Sequence, residues 1–93
     1  MFIRAIAIDI HIPGARTLKD KRQVLQSIIV RLRRLNLSVA EVGYQDQWQR
    51  AALGVAMVGA DLGLLEQLQA QILRLIEESY PVEIAHWEIR DYE

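Results

Sequence analysis

An α+β fold of βαββαβ order, two layers deep, is predicted by three observations. Four segments alternate with the two-residue period of a strand or are rich in strand formers, two carry an apolar stripe at helical spacing, and Gly, Pro and polar runs separate them. Right-handed crossovers turn that order into a ferredoxin-like, four-stranded antiparallel sheet, spatial order 4-1-3-2, with both helices on one face. The 93 residues make a single domain, 1–93.

Phe2 to Ile12 is the first strand, with Ile6, Ile8, Ile10 and Ile12 on one face and Ala5, Ala7, Asp9 and His11 on the other. Pro13-Gly14 ends it. Thr17 is the N-cap of the next element, with Asp20 three residues on as a capping box in which Asp replaces Glu. The helix runs from about Leu18 to Leu35, and Leu18, Leu25, Ile28, Ile29, Leu32 and Leu35 fall in one arc. Leu37 to Tyr44 and Ala51 to Val58 read as strands around the polar hairpin GYQDQWQR. Gly59 closes the third strand, and Asp61 caps a second helix whose stripe is Leu65, Leu68, Ile72, Leu75 and Ile76. Tyr80-Pro81 stops that helix, and Val82 to Arg90 is the fourth strand.

Composition excludes several classes of function. No cysteine is present, which removes disulfides, thiol catalysis and thiolate metal sites. The apolar N-terminus FIRAIAIDIHI is interrupted by Arg4, Asp9 and His11 and lacks the order of a signal peptide, so a cytoplasmic protein with no membrane partner is expected. Asp9 and His11 share a strand face, yet spacing supplies no third ligand or nucleophile. No metal, cofactor or catalytic group is expected, and the protein reads as noncatalytic.

Net charge is −1, but it is unevenly spread. Arg16, Lys19, Lys21, Arg22, Arg31, Arg33 and Arg34 stand against one acid, Asp20, whereas eight acids follow from Asp61 onward against Arg74 and Arg90. Cations in a helix's first turn oppose its dipole by about 0.3–1 kcal/mol each, so Lys19, Lys21 and Arg22 require an anion. Two anions are open: an internal carboxylate, Asp46 or one from the acidic C-terminal third, or an external phosphate. The predicted topology sets HIPGARTLKDKR beside the hairpin, where Trp48 and Arg50 suit stacking on a base, with His11, Tyr44, Asp46 and Gln49 in support. On the helix-free face, Ala5, Ala7, Ala52, Gly54 and Ala56 form a small-residue floor with Trp87 at its edge, which predicts sheet-face packing in a homo-oligomer, a dimer by preference.

The segments HIPGARTLKDKR, SVAEVGYQDQWQRAALGVA and EESYPVEI together resemble the DUF503 family of small bacterial proteins, also called YlxP-like, over essentially the whole chain. Thr17 stands where many members have Ser, which keeps the cap, and Tyr44 where His is frequent, so a histidine there is no requirement. The resemblance implies a ferredoxin-like fold and no established enzymatic activity. Through the genes among which family members lie, it also implies an RNA- or ribosome-associated role. The residues themselves leave four readings open: an RNA or ribosomal binding module using Arg16, Lys19, Lys21 and Arg22 on phosphate, an ACT-like small-ligand regulatory domain, a purely structural assembly protein and, last, an acylphosphatase-like enzyme, for which no asparagine is positioned to orient water.

Overall fold

The computed structural model describes residues 1–92, and the elements follow in the predicted order. They are β1 (Phe2–His11), α1 (Leu18–Arg33), β2 (Ser38–Gly43), β3 (Arg50–Gly59), α2 (Leu62–Ser79) and β4 (Glu83–Tyr92). The sheet is antiparallel throughout in the order β2-β3-β1-β4, so the two central strands are the two most apolar ones. Ile6, Ile8, Ile10 and Ile12 meet Leu53, Val55 and Met57 of β3 beneath Leu25, Ile28 and Leu32 of α1 and Leu65, Ile72 and Ile76 of α2. These residues have the parities and spacings that alternation and the helical stripe prescribe.

Both helices begin where their caps stand. The Thr17 hydroxyl accepts the Asp20 N–H at 3.1 Å, and the Asp61 carboxylate accepts the Leu64 N–H at 2.9 Å. α1 stops at Arg33, before Leu35, because Asn36 takes a left-handed φ of 63° and its N–H turns back to the Arg33 carbonyl at 3.1 Å.

Two features depart from the alternation pattern. Arg4 lies on the isoleucine face and is only 4% exposed. Its guanidinium donates to both carboxylate oxygens of Asp91, at 2.6 and 2.8 Å, and to the Gln69 side-chain carbonyl of α2 at 2.8 Å. This bidentate pair carries β4 two residues past its expected end at Arg90. The second departure is a register shift between Asp9 and Ile10, which leaves Ala85 unmatched in β4. The extra residue flips the strand's faces, so Trp87 lies opposite Ile8 on the helix side, not at the edge of the helix-free floor.

The hydrogen bonds from Arg4 hold the Asp91 carboxyl below the usual carboxylate range. A carboxyl with a lowered folded pKa contributes stability in full above its unfolded value of about 3.9, and that contribution disappears as pH falls through the folded value. Acid unfolding of the wild type is therefore expected to steepen below about pH 4, and Asp91→Asn to flatten that limb. Denaturant midpoints taken across the acid range check this, and identical acid slopes in the two proteins would refute it.

Candidate functional site

The turn from β1 into α1 and the hairpin from β2 to β3 do meet. The Ile12 N–H donates to the Gln49 carbonyl at 2.8 Å, and the Gln49 side-chain amide donates to the Ala15 carbonyl at 3.1 Å. Gln49 thus braces one loop against the other. The helix terminus is closed from within as well, since the Asp20 carboxylate accepts the Arg16 N–H at 3.0 Å. An acid at this end satisfies a backbone donor just before the cap and complements the dipole.

Lys21 has a different place from the one its sequence neighbours suggest. It is 1% exposed, and its ammonium donates to the carbonyls of Tyr44 and Gln47, both at 2.6 Å. Glu41 Oε2 lies 3.0 Å away, but it receives no directed hydrogen bond, so the pair is held by charge. Lys21 is consequently no phosphate ligand: it pegs the hairpin to α1, and the anion that answers it is Glu41 rather than Asp46. Both members carried a signal. Lys21 lies four residues before Leu25 on the apolar stripe, and Glu41 shares the inward parity of Leu37 and Val39.

Arg50 is also engaged. Its guanidinium lies over the Tyr44 ring, 3.9 Å from the centroid, and 3.6 Å from the Asp9 carboxylate. Asp9 is on the helix-free face, so Arg50 does not join Lys19 and Arg22. On the same face His11 is 3.6 Å from Glu83 across the strands. Trp48 stands half-exposed at the hairpin tip, beside Asp46, Gln47 and Gln49 around a shallow depression.

The free cations gather elsewhere. Lys19, Arg22, Arg31 and Arg34 line one open groove on the outer face of α1 with Gln23, Gln26, Ser27 and Val30. Among the described residues none of these four has a carboxylate within salt-bridge distance. Arg31 lies over the Tyr80 ring, whose hydroxyl is hydrogen-bonded to Ser27, so the end of α2 supports the groove. Lys19 to Arg34 spans about 22 Å along the helix axis. Arg16 is exposed just before it, whereas Arg33 turns away to the Val39 carbonyl. Reading the basic cluster by its proximity to the hairpin missed Arg31 and Arg34, an i,i+3 pair at the far end of the same outer helix surface that Lys19 and Arg22 line at its start.

On the helix-free face the floor is narrower than expected. Ala5, Ala7, Gly54 and Ala56 form it, while Ala52 is covered. Val42 lies across Gly54, so close that a Cβ there would stand 3.0 Å from it. Val42, Ser38 and Ala40 make one wall of this trough, and Glu88, Arg90 and Tyr92 make the other.

Among the described residues no three metal-ligating side chains converge, and no helix is long and apolar enough to cross a membrane. Comparison with known proteins matches residues 3–89 to a family model described as a protein of unknown function, DUF503. The uncharacterized protein YlxP of Bacillus subtilis (strain 168) is 40% identical over 68 residues, which cover 72% of this chain and 73% of that protein. A de novo designed protein with a ferredoxin fold, solved by NMR, superimposes with a TM-score of 0.59 over 99% of this chain and 84% of its own, at 13% identity.

Proposed function

Because the chain belongs to the DUF503 family, whose function is not established, we propose a function from its own surface: a noncatalytic module that binds structured RNA, free or within a ribosomal particle, through the outer face of α1. The observation that carries this reading is the group Lys19, Arg22, Arg31 and Arg34, four cations along one helix with no carboxylate at salt-bridge distance among the described residues. Rigid spacing of positive charge suits a phosphate backbone, and Gln23 and Gln26 between them offer amides to base edges or 2′-hydroxyls. With a net charge of −1, attraction must be local, and the acid-rich C-terminal third orients the molecule toward its ligand.

Fluorescence anisotropy with a labelled RNA hairpin, and sedimentation with ribosomal subunits, test the proposal at low and moderate salt. Four phosphate contacts predict a log–log salt slope of about −3 to −4. Arg22→Glu with Arg34→Glu is expected to weaken binding at least about tenfold and to reduce the slope by about 2. Absence of binding at about 50 mM salt, or binding indifferent to the double variant, would remove this function.

A further inference from the structure

β4 is a sheet edge of ten residues, and its outward N–H and C=O groups have no strand to pair with. Natural proteins blunt such edges with short strands, proline, charged side chains or bulges. Glu83–Tyr92 is long and lacks proline and lysine, and its bulge at Ala85 leaves the seven residues from His86 to Tyr92 regular, so its charges are what decide which strand can pair there. Its side chains are uncovered too: Trp87 and Ile89 on the helix side are 41% and 40% exposed. The other face of the strand reads His86, Glu88, Arg90, Tyr92.

We propose that β4 pairs antiparallel with β4 of a second copy about a two-fold axis at Ile89, joining two sheets into one of eight strands. Charge selects this register. With the axis at Ile89, each Glu88 faces Arg90 of the other copy, His86 faces Tyr92, and the two Ile89 side chains meet. Trp87 then faces Asp91, whose charge Arg4 already answers. An axis at Glu88 opposes two glutamates, one at Arg90 opposes two arginines, and one at Trp87 sets Asp91 against Glu83. Opposite charges directly across strands stabilise a pair and like charges destabilise it, so only the Ile89 register is free of conflict among these four. Within one copy Arg90 has no carboxylate at salt-bridge distance among the described residues, while Glu88 has only His86, at 3.1 Å.

The trough is the poorer surface for a second copy. Its bulk, Val42 and Tyr92, stands at the walls, so two troughs face to face meet wall to wall with their alanine floors apart. The edge interface is isologous and buries the exposed Trp87 and Ile89 instead. It is independent of the RNA reading: α1 packs toward β2, at the far side of the sheet, and stays free in the dimer.

Sedimentation velocity on the full chain tests the inference. The wild type is expected to be a dimer at micromolar concentrations, Glu88→Arg and Arg90→Glu each to weaken association by at least about tenfold, and the double charge swap to restore it. Ile89→Cys is expected to form an intermolecular disulfide on oxidation, because the two Cβ atoms face each other at the axis. A monomeric wild type, a dimer unmoved by either single reversal, or a dimer lost only with Ala56→Arg in the trough would overturn the proposal.

Discussion

Lys21→Met is expected to lower the stability of the protein by about 3 kcal/mol. The substitution keeps the apolar stem but removes a buried ammonium from two carbonyls and a carboxylate. Breaking a buried pair from one side costs about 3–5 kcal/mol, because the remaining charge has lost its counterion. The Glu41 side chain retains 26% exposure and can recruit water, which sets the value at the lower end. In a domain of this size the melting temperature should fall by about 12–24 °C, measured by circular dichroism. Amide exchange at Tyr44 to Gln49 should accelerate as well, since the hairpin loses its peg. Because Lys21 and Glu41 share one interaction, Lys21→Met with Glu41→Leu should cost less than the sum of the two. An unchanged melting temperature in the single variant would show that the hairpin holds without its lysine.

Arg4→Met is the second large effect. It leaves β1 in place but releases Asp91 and Gln69, and with them the last turn of pairing between β1 and β4. Asp91 is exposed enough to regain water, so the loss is smaller than for Lys21. A fall in melting temperature of about 5–10 °C is expected, of the order of one charge-assisted hydrogen-bond set in such a domain. The acid limb that Asp91 contributes should vanish in the same variant, because the carboxyl then titrates alike in both states. A variant that melts lower but keeps that limb would assign the acid sensitivity to another group.

The order of elements, the strand partners and the apolar core were legible because periods of 2 and 3.6 report burial directly, as Ile6 to Ile12 and Leu25 to Leu32 do. The two charged residues of the interior were not, although their positions fit it. Lys21 and Arg4 occupy core sites on their stripes, but a formal charge reads as surface until its partners are known, and those partners lie on distant segments. Trp87 went to the wrong face for a local reason. Simple alternation outward from Ile84 puts it opposite the helices, and one unmatched residue reverses that, which nothing in the composition of EIAHWEIRDY signals. The basic site was half legible: Arg16, Lys19 and Arg22 are on the exposed surface as expected, Lys21 and Arg50 are not available, and Arg31 and Arg34 complete the row.

The pairing of Arg4 with Asp91 spans 87 positions, and this has a consequence for how the protein is made. β1 is a central strand, but β3 reaches it first; its other margin is filled by β4, the latest of the six elements in chain order. A growing chain folds from its N-terminus, and contacts of such separation form slowly. Until residues 83–92 emerge, the nascent chain holds a guanidinium with no carboxylate and a central strand with one bare side. Maturation of the first strand is thereby timed to the emergence of residues 83–92, and a chain stalled before them would offer that bare side to chaperones or to its neighbours on the same message.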